Sequence, residues 1–375
     1  MIKKAALIFT VALFAVACND DTDPDNTPDG GSDGGSLPDD CTIVEIVDDI
    51  TTNTTWTDGN VYVIRAWDFY VEATLTVEPG VVVKFHPSDG PYLMVGDGGT
   101  IVAEGTAAKP IIWTSYKDDS HCGDTNGDEA ATSPAATDWH TLDTNGEDGS
   151  SFVYNEFYYG GGGSYRTSLN LSALSSASVQ NCTFAHGDGG KVGDFYYGTL
   201  SANESPATTV INDNVFFDNN LPLSISTLFC LDASNTFSDP ADANVANTMN
   251  GIFVENTTDY IISAISWDET EVAYVINDND FWIEEDGGSL TLADDVVVKF
   301  TADGEIVYDG ANINNHDGAG VAFTSFRDDT LKGDTNGDEA ATGPSDGDWG
   351  GICDNSVPVG DDCHETWTNI YYDSY

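Results

Sequence analysis

The chain has 375 residues, with 64 acidic and 11 basic side chains and a formal net charge of −53. A surface this negative repels nucleic acid and anionic lipid headgroups, and it repels polyuronates unless cations bridge them. No nucleic-acid partner is expected, and the composition suits a cation-rich external medium.

The chain opens on Lys3-Lys4, an apolar run over Ala5–Ala17, and Cys18. This reads as an export signal over 1–17, too short to span a bilayer. Ala15-Val16-Ala17-Cys18 resembles a bacterial lipobox, with Ala where Leu is usual at its first position. The resemblance implies cleavage before Cys18 and lipidation of its thiol. Asn19 in place of Asp then points to the outer membrane or cell surface, reached through the lipid anchor. Residues 18–40 are mostly Asp, Gly, Pro, Ser and Thr. They have too little apolar surface to offset chain entropy and are expected to form a disordered acidic tether.

From Cys41 onward, short apolar runs recur: Val61–Ile64, Phe69–Val71, Leu75–Val77, Val81–Phe85, Tyr92–Val95 and Ile111–Trp113. They are rich in β-branched and aromatic residues, too short for helices, and broken by Gly, Asn, Asp and Pro. Three such pieces make a turn of about 20–25 residues, which predicts an all-β solenoid with coils ~4.8 Å apart. Much of the pattern is duplicated. Trp56, Tyr62-Val63-Ile64 and Val81–Phe85 return as Trp267, Tyr274-Val275-Ile276 and Val296–Phe300. The chain therefore divides into a first array, 41–249, and a second, 250–375. Between the copies an Asn-then-Phe motif repeats: Asn181 before Phe184, Asn214 before Phe216, Asn235 before Phe237. It predicts phenylalanines stacked inside and asparagines lining a turn.

With Cys18 set aside, six cysteines remain: Cys41, Cys122, Cys182, Cys230, Cys353 and Cys363. Export permits disulfides, and six cysteines allow 15 pairings. Cys353 with Cys363 closes a short loop and is the favoured pair.

Each copy also holds an acidic stretch. The first, from Thr114, reads TSYKDDSHCGDTNGDEAAT; the second, from Thr324, reads TSFRDDTLKGDTNGDEAAT. Asp124, Asn126 and Asp128 alternate along a glycine-containing turn, as do Asp334, Asn336 and Asp338. Side-chain oxygens at every second position converge when the backbone curls, which is the donor set of a hard cation such as calcium. Asp118, Asp119, Asp328 and Asp329 add carboxylates, and Asp138 and Asp348 are placed to close the shell from further on. Glu129 stands where an EF-hand has Gly, and Ala135 and Ser345 stand where it has its bidentate acid, so no EF-hand helix pair is implied. Such oxygens repel one another unless a cation sits among them, so structural calcium is the expected cofactor. The alternative is a solvated acidic turn.

The run LTVEPGVVVKF, then GTIVAEGTAAKPIIWTSYKDD, DTNGD and DW, resembles the right-handed parallel β-helix (pectate-lyase-like) domains of bacterial surface lipoproteins. The resemblance covers most of 42–375. It implies that fold and a surface location but no single activity, because function sits in sites rather than folds.

A β-helix lyase requires a strong base, usually Arg or Lys, beside a calcium. Arg327 aligns with Lys117 just before each Asp pair, a place suited to balancing charge rather than abstracting protons. The six histidines are scattered, His186-Gly187-Asp188 is only a fragment of a polygalacturonase-type set, and no catalytic residue is assigned. Aromatics give the better binding signal. Tyr158-Tyr159, Tyr165 and Tyr196-Tyr197 lie near glycine or aspartate, and neighbours on a strand face opposite ways, so one of each pair is expected outside to stack on sugar. The first expectation is a non-catalytic, calcium-stabilised, lipid-anchored surface protein for adhesion or glycan binding. The second is a β-helix carbohydrate-active enzyme, a lyase or hydrolase.

Overall fold

The structure is a computed structural model that describes residues 41–375 apart from 88–89, 146, 148, 173–175, 256–259, 278–280, 285–286, 303, 311 and 359–360. The export signal, Cys18 and the tether lie outside the described residues.

Alternation along short strands builds the molecule. In Val82–Phe85, Val83 and Phe85 join the main core while Val82 faces the other way. Each strand pairs in parallel with the equivalent strand one coil on, as in Val61↔Val82 and Val82↔Ile112, so inward side chains stack in columns. The result is an all-β parallel β-helix, with no α-helix among the described residues.

Three sheets wall the coil. Sheet 1 has seven strands, from Thr42–Ile46 to Val215–Phe217. Sheet 2 has ten, from Asp68–Val71 to Ala322–Ser325. Sheet 3 has six, from Thr54–Trp56 to Val210–Asn212. Sheet 2 runs unbroken into the second array. There a four-stranded sheet ending at Gly351–Asp354 and a three-stranded sheet ending at Ile313–Asn314 form the other walls.

The copies are therefore offset by one wall. Strands Val82–Phe85 and Ile111–Ser115 belong to sheet 1, whereas their counterparts Val297–Phe300 and Ala322–Ser325 belong to sheet 2.

Inside, Phe157, Phe184, Phe216 and Phe237 stack at 4.8, 5.2 and 5.3 Å between centroids. Beside them runs a ladder in which Asn214 donates to Val179 O (2.9 Å) and Asn235 to Ile211 O (3.0 Å), each satisfying a carbonyl of the preceding coil. Asn181 lines a turn, as its motif predicts. It takes the left-handed position (φ 53°), and the ladder slot is filled by Cys182. Cys182 is a buried free thiol, so the six cysteines do not resolve into three bridges. Cys353 is bonded to Cys363, and Cys41 to Cys122.

Two antiparallel hairpins leave the coil. One pairs Gly190–Val192 with Phe195–Tyr197, and the other pairs Ser238–Asp239 with Asp242–Ala246.

Candidate functional site

Both acidic loops are excursions from a coil corner and share one construction. The first leaves sheet 1 after Ser115, and the second leaves sheet 2 after Ser325. A carboxylate closes each neck. Asp138 accepts from Ser115 Oγ and Lys117 Nζ, both at 2.6 Å, and Asp348 accepts from Ser325 Oγ at 2.7 Å and Arg327 Nη1 at 3.0 Å. Asp138 and Asp348 are thus anchors, not the shell-closing ligands expected of them. The next residue re-enters the core: Trp139 stacks on Phe85 at 4.1 Å and Trp349 on Phe300 at 4.0 Å.

Each loop folds down over a lysine on the outer face of its sheet. Lys84, with no exposed surface, donates to Asp118 O (2.7 Å), Gly123 O (3.1 Å) and Thr125 Oγ1 (2.6 Å). Lys299 does the same to Gly333 O (2.6 Å) and Thr335 Oγ1 (3.2 Å). Burial pushes both ammonium groups down to about 8, against the pull of three aspartates on each. These lysines are the main residues that the sequence reasoning missed. The available signal was a charged residue inside an apolar strand, VVVKF, in both copies.

Around the lysine three carboxylates converge. Asp119, Asp124 and Asp128 bring oxygens within 4.8 Å of one another, and so do Asp329, Asp334 and Asp338. Asp124 is fixed by backbone N–H groups of Gly127 (2.6 Å) and Glu129 (2.9 Å), which hold its carboxyl below its ordinary value. Burial, then repulsion from Asp124 and Asp128, raises Asp119; Asp329 is raised in the same way, by burial and then Asp334. Oδ1 of Asp119 and Oδ1 of Asp329 are shut from solvent without a hydrogen-bond partner. An acceptor-only group left bare in this way fits a cation better than it fits water or a turn.

The expected ligands divide accordingly. Asn126 and Asn336 sit in the turns, where their oxygens accept the N–H of Asp128 (3.1 Å) and Asp338 (3.2 Å). Asp118 and Asp328 stand outside the carboxylate groups, a correction to the expected set. Asp118 accepts from Thr114 Oγ1 (2.6 Å) and lies 2.8 Å from His121 Nδ1. Burial alone would raise its carboxyl, but the His121, Ser120 and Thr114 hydrogen bonds hold it far below the usual range. Asp328 accepts from Thr324 Oγ1 (2.8 Å) and Thr330 Oγ1 (2.5 Å).

The tyrosines also separate. Tyr158 donates to Glu156 Oε2 (2.9 Å), and Tyr159 stacks on His186 at 5.0 Å. Tyr165 is exposed and lies 5.4 Å from the half-buried Tyr197. Tyr196 is not available as expected. It sits on the first hairpin, folded down against Phe253 at 4.6 Å, and is 8 % exposed. Beside it a cavity of about 710 Å³ opens between this hairpin and the second acidic loop.

Residues 48–163 match a family described as pectate-lyase like beta helix domain. That span holds the first coils and the whole first loop, and it agrees with the fold. No curated protein and no solved structure matches the chain.

Proposed function

We propose that this is a non-catalytic, lipid-anchored surface protein whose two acidic loops are held by calcium, and that it works by adhesion, with glycan as the ligand class. One observation carries the calcium reading: the same three carboxylates converge in both copies, each with an orphaned buried oxygen. Asp119, Asp124 and Asp128, and Asp329, Asp334 and Asp338, would hold the ion, with water completing the six to eight oxygens calcium takes. The ion would supply the positive charge that the nearby lysine provides only in part.

The cations are placed for pairing rather than for proton abstraction. Arg65, Arg166 and Arg327 each pair with a carboxylate within 3.0 Å. Lys84 has the lowered pKa of a base, but its ammonium is enclosed by the three loop oxygens that accept from it. The enzyme reading has one observation on its side. His121, braced by Asp118, lies over Tyr158 (5.7 Å between centroids), which bonds Glu156, whose carboxyl burial raises.

Calorimetric titration with calcium in high sodium chloride tests the main reading. Saturable binding is expected, abolished by Asp124→Ala together with Asp334→Ala. A hundredfold excess over Kd should stabilise by about 2.7 kcal/mol per site. Absence of saturable heat would reduce both loops to solvated turns. Release of unsaturated or reducing sugar from polysaccharide, lost in His121→Ala, would favour the enzyme instead.

A further inference from the structure

The stretch that the two acidic loops share holds a dipeptide that is chemically weak in water: Asn126-Gly127 in the first and Asn336-Gly337 in the second. Glycine has no Cβ to shield its nitrogen, so that nitrogen can attack the carboxamide carbon of a preceding asparagine. In the first loop the bond from Gly127 N to Asn126 Cγ would form and the Cγ–Nδ2 bond would break. Nδ2 leaves as ammonia, taking the proton that Gly127 N gives up. Water then opens the five-membered ring at either carbonyl, leaving aspartate or isoaspartate.

The folded loops oppose this step at both reacting groups. Gly127 N–H donates to Asp124 Oδ1 (2.6 Å), and Gly337 N–H donates to Asp334 Oδ1 (2.7 Å). The nitrogen must lose that proton before it attacks, and a carboxylate beside it disfavours the negative charge it would then carry. The carboxamides are held as well. Asn126 Oδ1 accepts from Asp128 N (3.1 Å), and its Nδ2 donates to Asp128 Oδ2 (3.1 Å) and Thr132 Oγ1 (3.2 Å). Asn336 is linked in the same way to Asp338 N (3.2 Å) and Thr342 Oγ1 (3.3 Å). Bulk gives the first site no cover, since a Cβ built at Gly127 (φ 74°) would meet nothing within 4 Å. Water reaches this glycine, and hydrogen bonding alone stands between it and the reaction.

We propose that Asn126 and Asn336 are latent deamidation sites, each locked by the aspartate two positions before it, which holds the glycine N–H. Opening of a loop releases the lock. The product adds a carboxylate to a loop already crowded with them, and the isoaspartyl form also lengthens the backbone by one carbon. A loop that has reacted cannot close as before, so the modification records that it once opened. The inference does not depend on a bound ion.

The test incubates the full chain with a chelator in mildly alkaline buffer and follows both asparagines by peptide mass spectrometry. A synthetic peptide GDTNGDEAAT, the sequence common to both loops, reacts beside it. Both asparagines should react roughly tenfold more slowly in the chain than in the peptide, the factor that one hydrogen bond to a charged group supports. Asp124→Ala should bring Asn126 up to the rate of the peptide and leave Asn336, the control in the same molecule, unchanged. Asp124→Asn keeps an accepting oxygen and the shape of the loop, so Asn126 should react more slowly there than in Asp124→Ala. Reaction in the native chain as fast as in the peptide would overturn the proposal. So would an Asp124→Ala chain in which Asn126 stays slow, or an Asp124→Asn chain in which it reacts as fast as in Asp124→Ala.

Discussion

Lys84 decides how much of the first loop is stable without an added ion. Its ammonium bonds two carbonyls and a hydroxyl and faces the carboxylates of Asp118, Asp119 and Asp124. Lys84→Met keeps the stem but orphans those acceptors and leaves the aspartates uncompensated. The expected loss is about 2–4 kcal/mol by chemical denaturation without calcium, and less with it. An equal loss in both conditions would mean that lysine and calcium do not share the task. Asp119 and Asp329 give a pH signature. Their folded carboxyl pKa lies above the ordinary value, so the calcium-free folded loop binds protons more tightly than the unfolded chain does. That contribution favours folding at low pH and is lost as pH rises through the folded pKa. Calcium held as proposed would compete with the same protons. Its affinity should therefore fall on acidification before the ordinary carboxyl pKa of about 3.9 is reached, and fall less in Asp119→Asn with Asp329→Asn. A calcium Kd flat across that range would count against these carboxylates as ligands.

At the scale of elements, the two loops are alike in sequence but tied down differently. The position held by Cys122 in the first is Lys332 in the second. Cys122 is bonded to Cys41, 81 residues away, across the outer face of sheet 1. Lys332 instead meets Asp295 Oδ2 and Thr270 O, each at 2.6 Å. A covalent link over that separation is worth about 4 kcal/mol by loop closure, whereas an ion pair with one exposed and one half-buried partner is worth about 1 and is screened by salt. In calcium-free buffer, raising sodium chloride should therefore increase amide exchange in 333–339 and leave 123–129 unmoved. Reduction of the disulfides should open 123–129. Equal salt sensitivity of the two segments would refute this difference. The strands themselves were legible in the sequence because alternation such as Val83 and Phe85 inward against Val82 outward is a local pattern that every coil repeats. The loop turns were legible for the same reason, with Asp124, Asn126 and Asp128 in one short run. The Cys41–Cys122 link was not, since nothing local marks which of six thiols meet. The asparagine motif was half legible: Asn181 takes the left-handed turn expected of it, whereas the ladder slot that Asn214 and Asn235 hold in later coils goes to the neighbouring Cys182, which the motif did not mark.

For the whole molecule, the cavity beside Tyr196 shows what a linear sequence hides. Lys191 and Asn336 are 145 positions apart (336 − 191) and meet only because a hairpin and a loop rise from the same wall. The proposed anchor lies at the other extreme, written in a few consecutive residues. Cys18→Ala should leave the precursor unlipidated and move the protein out of the membrane fraction; unchanged fractionation would rule out the lipid link.

The one-wall offset between the copies sets how the two acidic loops can be met. On sheet 2, seven strand steps separate Thr141–Asp143, where the chain returns from the first loop, from Ala322–Ser325, where it departs into the second. At ~4.8 Å per step that is about 34 Å along the axis. Because the loops also face different sides, one flat surface cannot touch both, and whatever binds both must curl around the coil or be two bodies. Two bodies so held stay apart, and the rod acts as a spacer whose gap is counted in coils.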